Sequence, residues 1–365
     1  MKANSGAPVQ SIILPGQLPS GQPILSLLVK RTYVVRPGAS CERAAADRKL
    51  ISGDQHFNDP LNTTVKFESD FVPFKLATDV VLNGRAVAPG GQRVTSLSAR
   101  VEVGGQAKEV LIVGNRHCRY RAGKEPIFTE PEAFTSLELR YEQAYGGVDA
   151  FSDPDLPSPY VRNPLGRGFV VLNRKESIEN LLLPNLEDPA DALTPARLCA
   201  GHIKDWEQQP MPQSFGWVQK SWRQRAQFAG VMPGDRALES QLRRIYAGAV
   251  PVHQRKLYQG TRLPEMDFRF FNGASSGLAI PDLCGDEEIK LTNLHEINPL
   301  TFRLPADMPR LGLDIGGGAQ VLTPALHTVM IRTEDGEVDL VWRGALPYQG
   351  LDWLPELKKM EALVE

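Results

Sequence analysis

The sequence contains few cysteines and no long apolar run. Its four cysteines, Cys41, Cys118, Cys199 and Cys284, are widely separated and form no CxxC pair, so neither a zinc site nor a disulfide framework is predicted. No segment reaches the ~18 consecutive apolar residues that a membrane helix needs. The first 20 residues also lack the basic stretch and the long apolar stretch of a secretory signal. We therefore expect a cytoplasmic protein with no membrane partner.

Neither sign of charge dominates the chain. It has 41 Lys and Arg residues against 43 Asp and Glu residues, which gives a formal net charge of −2. A near-neutral chain has no extended positive field to attract polyanions, so nucleic acid is excluded as a general partner. The 365 residues, 42% of them apolar, are enough for one large core or two ordinary ones.

Proline and glycine, in contrast, are abundant, and they are spread along the whole chain. The 29 Pro and 32 Gly residues interrupt long helices and favour short strands joined by turns. Residues 94–103 alternate between apolar and polar side chains, and Gly104-Gly105 then permits a tight turn into a second apolar strand at 107–113. This pattern predicts an antiparallel hairpin that packs one face on a core.

A second hairpin is predicted near the C-terminus, where residues 326–332 and 337–342 flank the turn dipeptide Asp335-Gly336. Residues 24–35 form a β-branched, apolar run that predicts the first core strand. We expect a mainly β fold of the β-rich α+β type. Its antiparallel sheets and hairpins would form one extended unit or two packed β lobes, with short helical insertions.

The expected domain organisation is simple. Residues 1–23 are polar and rich in Pro and Gly over most of their length, which predicts a loosely ordered segment, and residues 24–365 form one β-rich domain. If that domain has two lobes, they divide within residues 175–230. Apolar residues at helical spacing predict one short amphipathic helix over residues 235–246.

Acidic residues are the candidates for catalysis. Glu138, Glu142 and Asp149 lie close in sequence on or near a predicted strand, and a carboxylate pair on a β scaffold can act as general acid and base in glycoside hydrolysis. The simpler interpretation is a solvated, ion-paired strand face. We therefore assign no catalytic, metal-ligating or cofactor-binding residue and expect no enzymatic activity, with a carbohydrate-active or other hydrolytic β protein as the alternative.

The densest aromatic and basic stretch covers residues 215–225 and contains Trp217, Trp222, Arg223 and Arg225. In one interpretation the two tryptophans fill the core while the arginines lie in solvent. In the other, exposed Trp and Arg side chains form a binding site for a protein partner, because rigid aromatics and guanidinium groups dominate such interfaces. These four residues are the partner-binding candidates.

Several motifs, found in one order along the chain, carry a resemblance. They include PFKLATDVV (73–81), YEQAYGGVD (141–149), NPLGRGF (163–169), LPNLEDP (183–189), FGW (215–217), DFRFFNGA (267–274) and VDLVWRG (338–344). Together they resemble the bacterial domain-of-unknown-function family 2169, from about residue 24 to the end of the chain. Gln143 departs from the more common family form, which has an arginine at that position.

The resemblance implies a function that the residue pattern alone does not give. It implies a cytoplasmic adaptor or chaperone that binds a type VI secretion effector, often one with a PAAR domain, and helps load it onto the VgrG spike. No catalytic residue is implied. Because many of the motifs are glycine and proline turns with one aromatic residue, we expect Asp79 and the turn at residues 163–168 to serve turn geometry and buried hydrogen bonding.

Overall fold

The strands of this protein are short and numerous, as the distribution of Pro and Gly predicts. The computed structural model describes residues 10–151, 155, 157–172, 174–199, 208–230, 266–315, 318–348 and 361–364. The helix predicted over residues 235–246 lies outside these residues. No described helix has the length and apolar character needed to cross a membrane.

The described strands are β1 (Gln10–Gln17), β2 (Pro23–Val34), β3 (Glu42–Arg43), β4 (Gln55–His56), β5 (Val65–Phe67), β6 (Thr78–Asn83), β7 (Arg85–Val87), β8 (Ser96–Val103), β9 (Gln106–Val113), β10 (Cys118–Arg119), β11 (Ile127–Phe128), β12 (Ser136–Glu138), β13 (Tyr145–Gly146), β14 (Val148–Asp149), β15 (Ser158–Pro159), β16 (Arg167–Gly168), β17 (Leu186–Glu187), β18 (Ala279–Ile280), β19 (Glu288–Thr292), β20 (Leu300–Arg303), β21 (Leu311–Asp314), β22 (Ala319–Leu322), β23 (Pro324–Arg332), β24 (Glu337–Pro347) and β25 (Glu361–Val364). The α-helices are α1 (Lys175–Ile178), α2 (Pro195–Cys199) and α3 (Arg223–Ala226), and 3₁₀ turns cover Pro89–Gly91, Tyr141–Gln143 and Phe268–Phe271. The β-rich fold class is confirmed.

The largest sheet combines the first described strands of the chain with strands from residues 324–347. Its strand order is β1-β2-β24-β23-β6-β18, with β3 on the edge of β2. All its pairs are antiparallel except β23 with β6, which run parallel. A second sheet has the order β17-β9-β8-β19-β20, and a third has the order β22-β21-β25.

The main core lies between the first two sheets. Strands β2, β6, β23 and β24 supply one wall, with residues such as Tyr33, Val80 and Leu340, while β8, β9, β19 and β20 supply the other, with residues such as Val101 and Ile289. A separate core forms where β2 meets the three-stranded sheet. Residues between Cys118 and Leu198 supply another core. A lobe boundary within 175–230 stays a prediction.

Both predicted hairpins are confirmed. Strands β8 and β9 pair from Ser96–Val113 to Val103–Gln106 across the two glycines, which both have positive φ. Strands β23 and β24 pair across Asp335 and Gly336, and the register shifts by one residue between Leu326 and Thr328. His327 is therefore the extra residue of a β-bulge, which the sequence pattern did not predict.

The expectation of a loosely ordered segment over residues 1–23 is wrong for part of that segment. Residues 10–17 form β1, which pairs with β2 along its whole length. Ile13 packs against the core beside the three-stranded sheet. Gly16 approaches Pro73 so closely that an added Cβ would lie 2.4 Å from the Pro73 Cβ. Apolar packing and one glycine thus hold a stretch whose composition resembles a loop.

Candidate functional site

The predicted aromatic and basic binding patch is not on the surface. Trp222 is 2% exposed and packs edge to face against Tyr141, with ring centroids 5.0 Å apart. Trp217 is buried in a small cluster with Val81 and Met330. Arg225 is also buried, and Arg223 at the start of α3 is half-buried. The expectation of an exposed hot spot is therefore wrong, because both tryptophans are used to fill cores.

Arg225 is buried because it has a complete set of acceptors. Its Nη2 donates to Glu68 Oε1 at 2.9 Å, and its Nη1 donates to the other oxygen of the same carboxylate. The remaining N–H groups donate to the carbonyl oxygens of Phe270 and Val218. Burial alone raises the pKa of Glu68, but the charge and hydrogen bonds of Arg225 bring that pKa below its usual value. Arg225 thus ties three loops together and is not available to a partner.

A second buried ion pair joins three of the sequence motifs. Lys75 Nζ lies 2.7 Å from Asp79 Oδ2 and 5.3 Å from the Trp217 ring centroid. Asp79 also accepts hydrogen bonds from the side-chain amide of Asn272 and from the backbone N–H groups of Gly273 and Ala274. This carboxylate therefore fixes the 267–274 motif onto β6, as expected from its predicted role in buried hydrogen bonding.

A further set of motifs meets around Asn163. The side-chain amide of Asn163 donates to the carbonyl oxygens of Tyr141 and Tyr145 at 2.8 and 3.1 Å. Gly146 lies so close that an added Cβ would be 2.1 Å from the Asn163 carbonyl oxygen. Arg167 Nε donates to the carbonyl oxygen of Glu142. The glycines and the asparagine of these motifs are therefore explained by close backbone packing.

The three candidate catalytic carboxylates each have a structural partner. Glu138 lies 3.2 Å from the guanidinium of Arg140 and 3.6 Å from that of Arg85. Glu142 accepts from the backbone N–H and the hydroxyl of Thr64. Asp149 is buried and accepts backbone N–H groups from residues 151 and 171. Within the described residues, Glu138 is thus engaged in ion pairs, and Glu142 and Asp149 accept hydrogen bonds.

The described residues contain no site suited to a metal ion. No cluster of three or more His, Cys, Asp or Glu side chains suited to a metal ion occurs in the described part of the chain. His202, Asp205 and Glu207, the nearest to a ligand pattern in the sequence, lie outside the described residues. The four cysteines are all free thiols, and Cys41 and Cys118 are buried.

One surface combines aromatic rings with a cation and is not explained by fold contacts. Phe74 and Phe268 pack edge to face with centroids 5.7 Å apart, and Phe271 lies 5.7 Å from Phe268. All three rings are half-buried. The guanidinium carbon of Arg343 lies 4.4 Å from the Phe74 ring centroid, a cation–π contact. We call Phe74, Phe268, Phe271 and Arg343 the aromatic–arginine surface.

The main sheet and the loops over it position this surface. Arg343 is on β24, on the sheet face opposite Trp342, which points into the main core. Phe74 precedes the buried Lys75. Phe268 and Phe271 lie on a 3₁₀ turn, and Asp79 accepts hydrogen bonds from residues 272–274, which follow that turn directly. Each side chain therefore stands on a rigidly anchored element.

Sequence reasoning missed this surface, although its residues lie inside the quoted motifs. The predicted strand stopped at Trp342, whereas β24 continues to Pro347. Arg343 thus falls in the middle of a strand, where its alternation with Trp342 places it on the opposite face. One sequence signal could have indicated this position. Arg343 is the single charged residue in the otherwise uncharged run from Val341 to Ala345.

The comparison with protein families agrees with the motif resemblance. The family described as "Uncharacterized protein conserved in bacteria (DUF2169)" matches residues 20–343. No curated protein and no solved structure matches the chain. Because the match covers most of the 365 residues, the chain belongs to the bacterial family DUF2169.

Proposed function

We propose that this protein is a non-enzymatic cytoplasmic adaptor or chaperone for a type VI secretion effector. It binds the effector, for example one that carries a PAAR domain, and helps load it onto the VgrG spike. The protein takes no cofactor for this role, and neither nucleic acid nor a membrane is a partner.

The observation that carries the proposal is the aromatic–arginine surface. Half-buried aromatic rings beside a guanidinium group are the residue types that dominate protein–protein interfaces. The geometry supports binding of a protein but does not identify that protein. The identity of the partner comes from the resemblance to family 2169. In the described residues the acidic side chains that would favour a hydrolase are engaged in ion pairs or hydrogen bonds within the fold, so the geometry favours a binding protein over that alternative.

An adaptor of this kind should change the behaviour of its effector. Apolar surface that is covered only in the complex aggregates when it is left unpaired, so co-expression should raise the soluble yield of the effector. Binding to the folded effector should also stabilise both proteins, because a ligand that binds only the native state shifts the unfolding equilibrium.

The test is co-expression of the tagged chain with a PAAR-containing type VI effector from the same genome. We expect one complex on size-exclusion chromatography, more soluble effector than without the adaptor, and loss of effector secretion when the adaptor gene is deleted. An effector that is equally soluble and equally secreted without this protein would contradict the proposal. Turnover of a glycan or a small metabolite that one Glu138→Gln or Glu142→Gln substitution abolishes would replace it with the hydrolase.

A further inference from the structure

The setting of Arg343 is unusual for a charged side chain. It lies in β24 opposite Leu28 of β2 on one side and Ala325 of β23 on the other, so its cross-strand neighbours are apolar. The residue is half-buried, and its Nε atom is buried without a hydrogen-bond partner. Burial lowers the pKa of Arg343, which means that the fold disfavours its charge.

Other described arginines withdrawn from water have oxygen acceptors; half-buried Arg167, for example, donates to the backbone carbonyl oxygen of Glu142 and to the side-chain carbonyl oxygen of Asn185. Among the described residues, the three buried arginines are Arg31, Arg225 and Arg332, and they form ion pairs with Asp307, Glu68 and Asp339. Arg343 has no carboxylate within ion-pair distance in the described part of the chain, and it forms a cation–π contact with Phe74. A desolvated cation without an anion destabilises the fold. A binding partner that supplies an anion to Arg343 would explain why the cation is there.

A second observation points to the same place. His327, the bulged residue of β23, is 3% exposed, and its Nε2 atom is buried with no hydrogen-bond partner. Burial is the main cause that lowers the pKa of His327, and the charges of Lys75 and Arg343 add to it. Lys75 is neutralised by Asp79, whereas Arg343 is not. The region around the bulge therefore carries one uncompensated positive charge.

The apolar side chains beside Arg343 indicate the chemical class of its ligand. The rings of Phe74, Phe268 and Phe271 form a continuous row beside the guanidinium. Leu76, two residues beyond Phe74, is 46% exposed. A phosphate group is normally held by several cations and backbone N–H groups, whereas this site has one guanidinium and an apolar flank. A carboxylate attached to an apolar group fits both parts.

We propose that Arg343 binds a carboxylate of the effector polypeptide, and that the aromatic row of Phe74, Phe268 and Phe271 holds an apolar side chain next to that carboxylate. The acid supplies the anion that the fold itself does not place near Arg343. The identity of this partner rests on the proposed function, but the chemistry of the site does not, and the two can be tested apart.

The site is tested first without any effector. The probe is phenylacetate, which joins a carboxylate to an aromatic ring, and its matched control is phenylacetamide, which has the same shape without the charge. We expect saturation-transfer NMR to detect phenylacetate on the wild-type protein with an affinity at least about tenfold higher than that for phenylacetamide. Inorganic phosphate should not compete with it.

Two variants locate the site. Arg343→Gln should remove the preference for phenylacetate. Arg100→Gln should leave it unchanged, because Arg100 on β8 already forms ion pairs with Glu102 and Glu109. Phe74→Leu should weaken the binding of both probes. Equal affinity for the two probes in the wild-type protein, or phenylacetate binding that survives Arg343→Gln, would overturn the proposal.

The effector is then used as the ligand. Arg343→Gln should weaken its binding at least about tenfold, and Arg100→Gln should not. If phenylacetate binding depends on Arg343 but the wild-type protein does not bind the effector, the adaptor function fails and the carboxylate site stands. If the effector binds the Arg343→Gln variant as tightly as the wild-type protein, the site is not the effector contact and the adaptor function stands.

Discussion

Arg225 is buried and Arg343 is half-buried, and the two differ in the acceptors that the fold places around them. Arg225 faces the carboxylate of Glu68 and two backbone carbonyl groups, so its donors are matched within the fold. Arg343 faces an aromatic ring, and its cross-strand neighbours are Leu28 and Ala325. The comparison teaches that burial of a basic residue does not define its role. The internal acceptor set separates Arg225, which is matched within the fold, from Arg343, which we propose binds a partner.

The sharpest way to break this comparison is to remove Arg225. Arg225→Met leaves Glu68 buried without its counter-charge, and we expect a loss of about 3–5 kcal/mol in the free energy of unfolding. Urea denaturation followed by tryptophan fluorescence measures this loss. The double variant Arg225→Met/Glu68→Leu removes both charges and should recover much of it. A loss below about 1 kcal/mol for Arg225→Met would show that the pair does not support the fold.

The Lys75–Asp79 pair offers a second test on the structural side. Asp79→Asn replaces a carboxylate that accepts from Lys75 and from three groups of residues 272–274. The amide leaves the buried ammonium without an anion, so we expect a loss of about 2–4 kcal/mol. Thermal unfolding checks the value. Asp267→Asn, at an exposed cap of the same 3₁₀ turn, is the control and should change stability by less than about 1 kcal/mol.

The pH dependence of the free energy of unfolding tests the region around His327, where the positive charge of Arg343 has no carboxylate partner among the described residues. Its pKa in the folded protein lies well below 6.5, whereas the unfolded chain binds the proton near that pH. Protons therefore favour the unfolded state, and stability falls as the pH drops below 6.5, by up to about 1.4 kcal/mol per pH unit until the folded-state pKa is reached. The difference between wild-type and His327→Gln unfolding curves isolates this slope. Parallel curves for the two proteins between pH 6.5 and 5 would refute it.

The smallest stability change is expected at Arg343 itself. Arg343→Met removes a half-buried cation that has no carboxylate and keeps an apolar stem against Phe74. The free energy of unfolding should stay within about 1 kcal/mol of the wild-type value or rise slightly. The same urea titration used for Arg225→Met gives the comparison directly. A loss as large as that of Arg225→Met would mean that Arg343 is a structural residue.

Much of the fold could be predicted from local patterns. Alternating apolar residues and glycine turns gave the hairpins of β8 with β9 and of β23 with β24, because both depend on neighbouring residues in the chain. The parallel pairing of β6 with β23 and the pairing of β2 with β24 join distant segments, and no local pattern encodes them. The edge strand β1 was missed because tertiary packing outweighs its loop-like composition.

The candidate site was harder to predict for the same reason. Trp222 and Arg225 have the composition of a binding hot spot, but Tyr141 and Glu68, which are distant in sequence, bury them. Arg343 has an ordinary sequence context, and its lack of a carboxylate is visible only after folding. Sequence composition therefore identifies residue types suited to binding, whereas pairing across the fold decides which of them remain available.

The most direct measurement is a calorimetric titration of the purified PAAR-containing effector into the wild-type protein and into its Arg343→Gln variant, with unfolding curves recorded for both. We predict a wild-type complex, a dissociation constant at least about tenfold higher for the variant, and unchanged unfolding. Absence of a complex with the wild-type protein, by heat and by size-exclusion chromatography of the mixture, would contradict the adaptor function. Identical binding by both proteins would contradict the role of Arg343 in holding the effector.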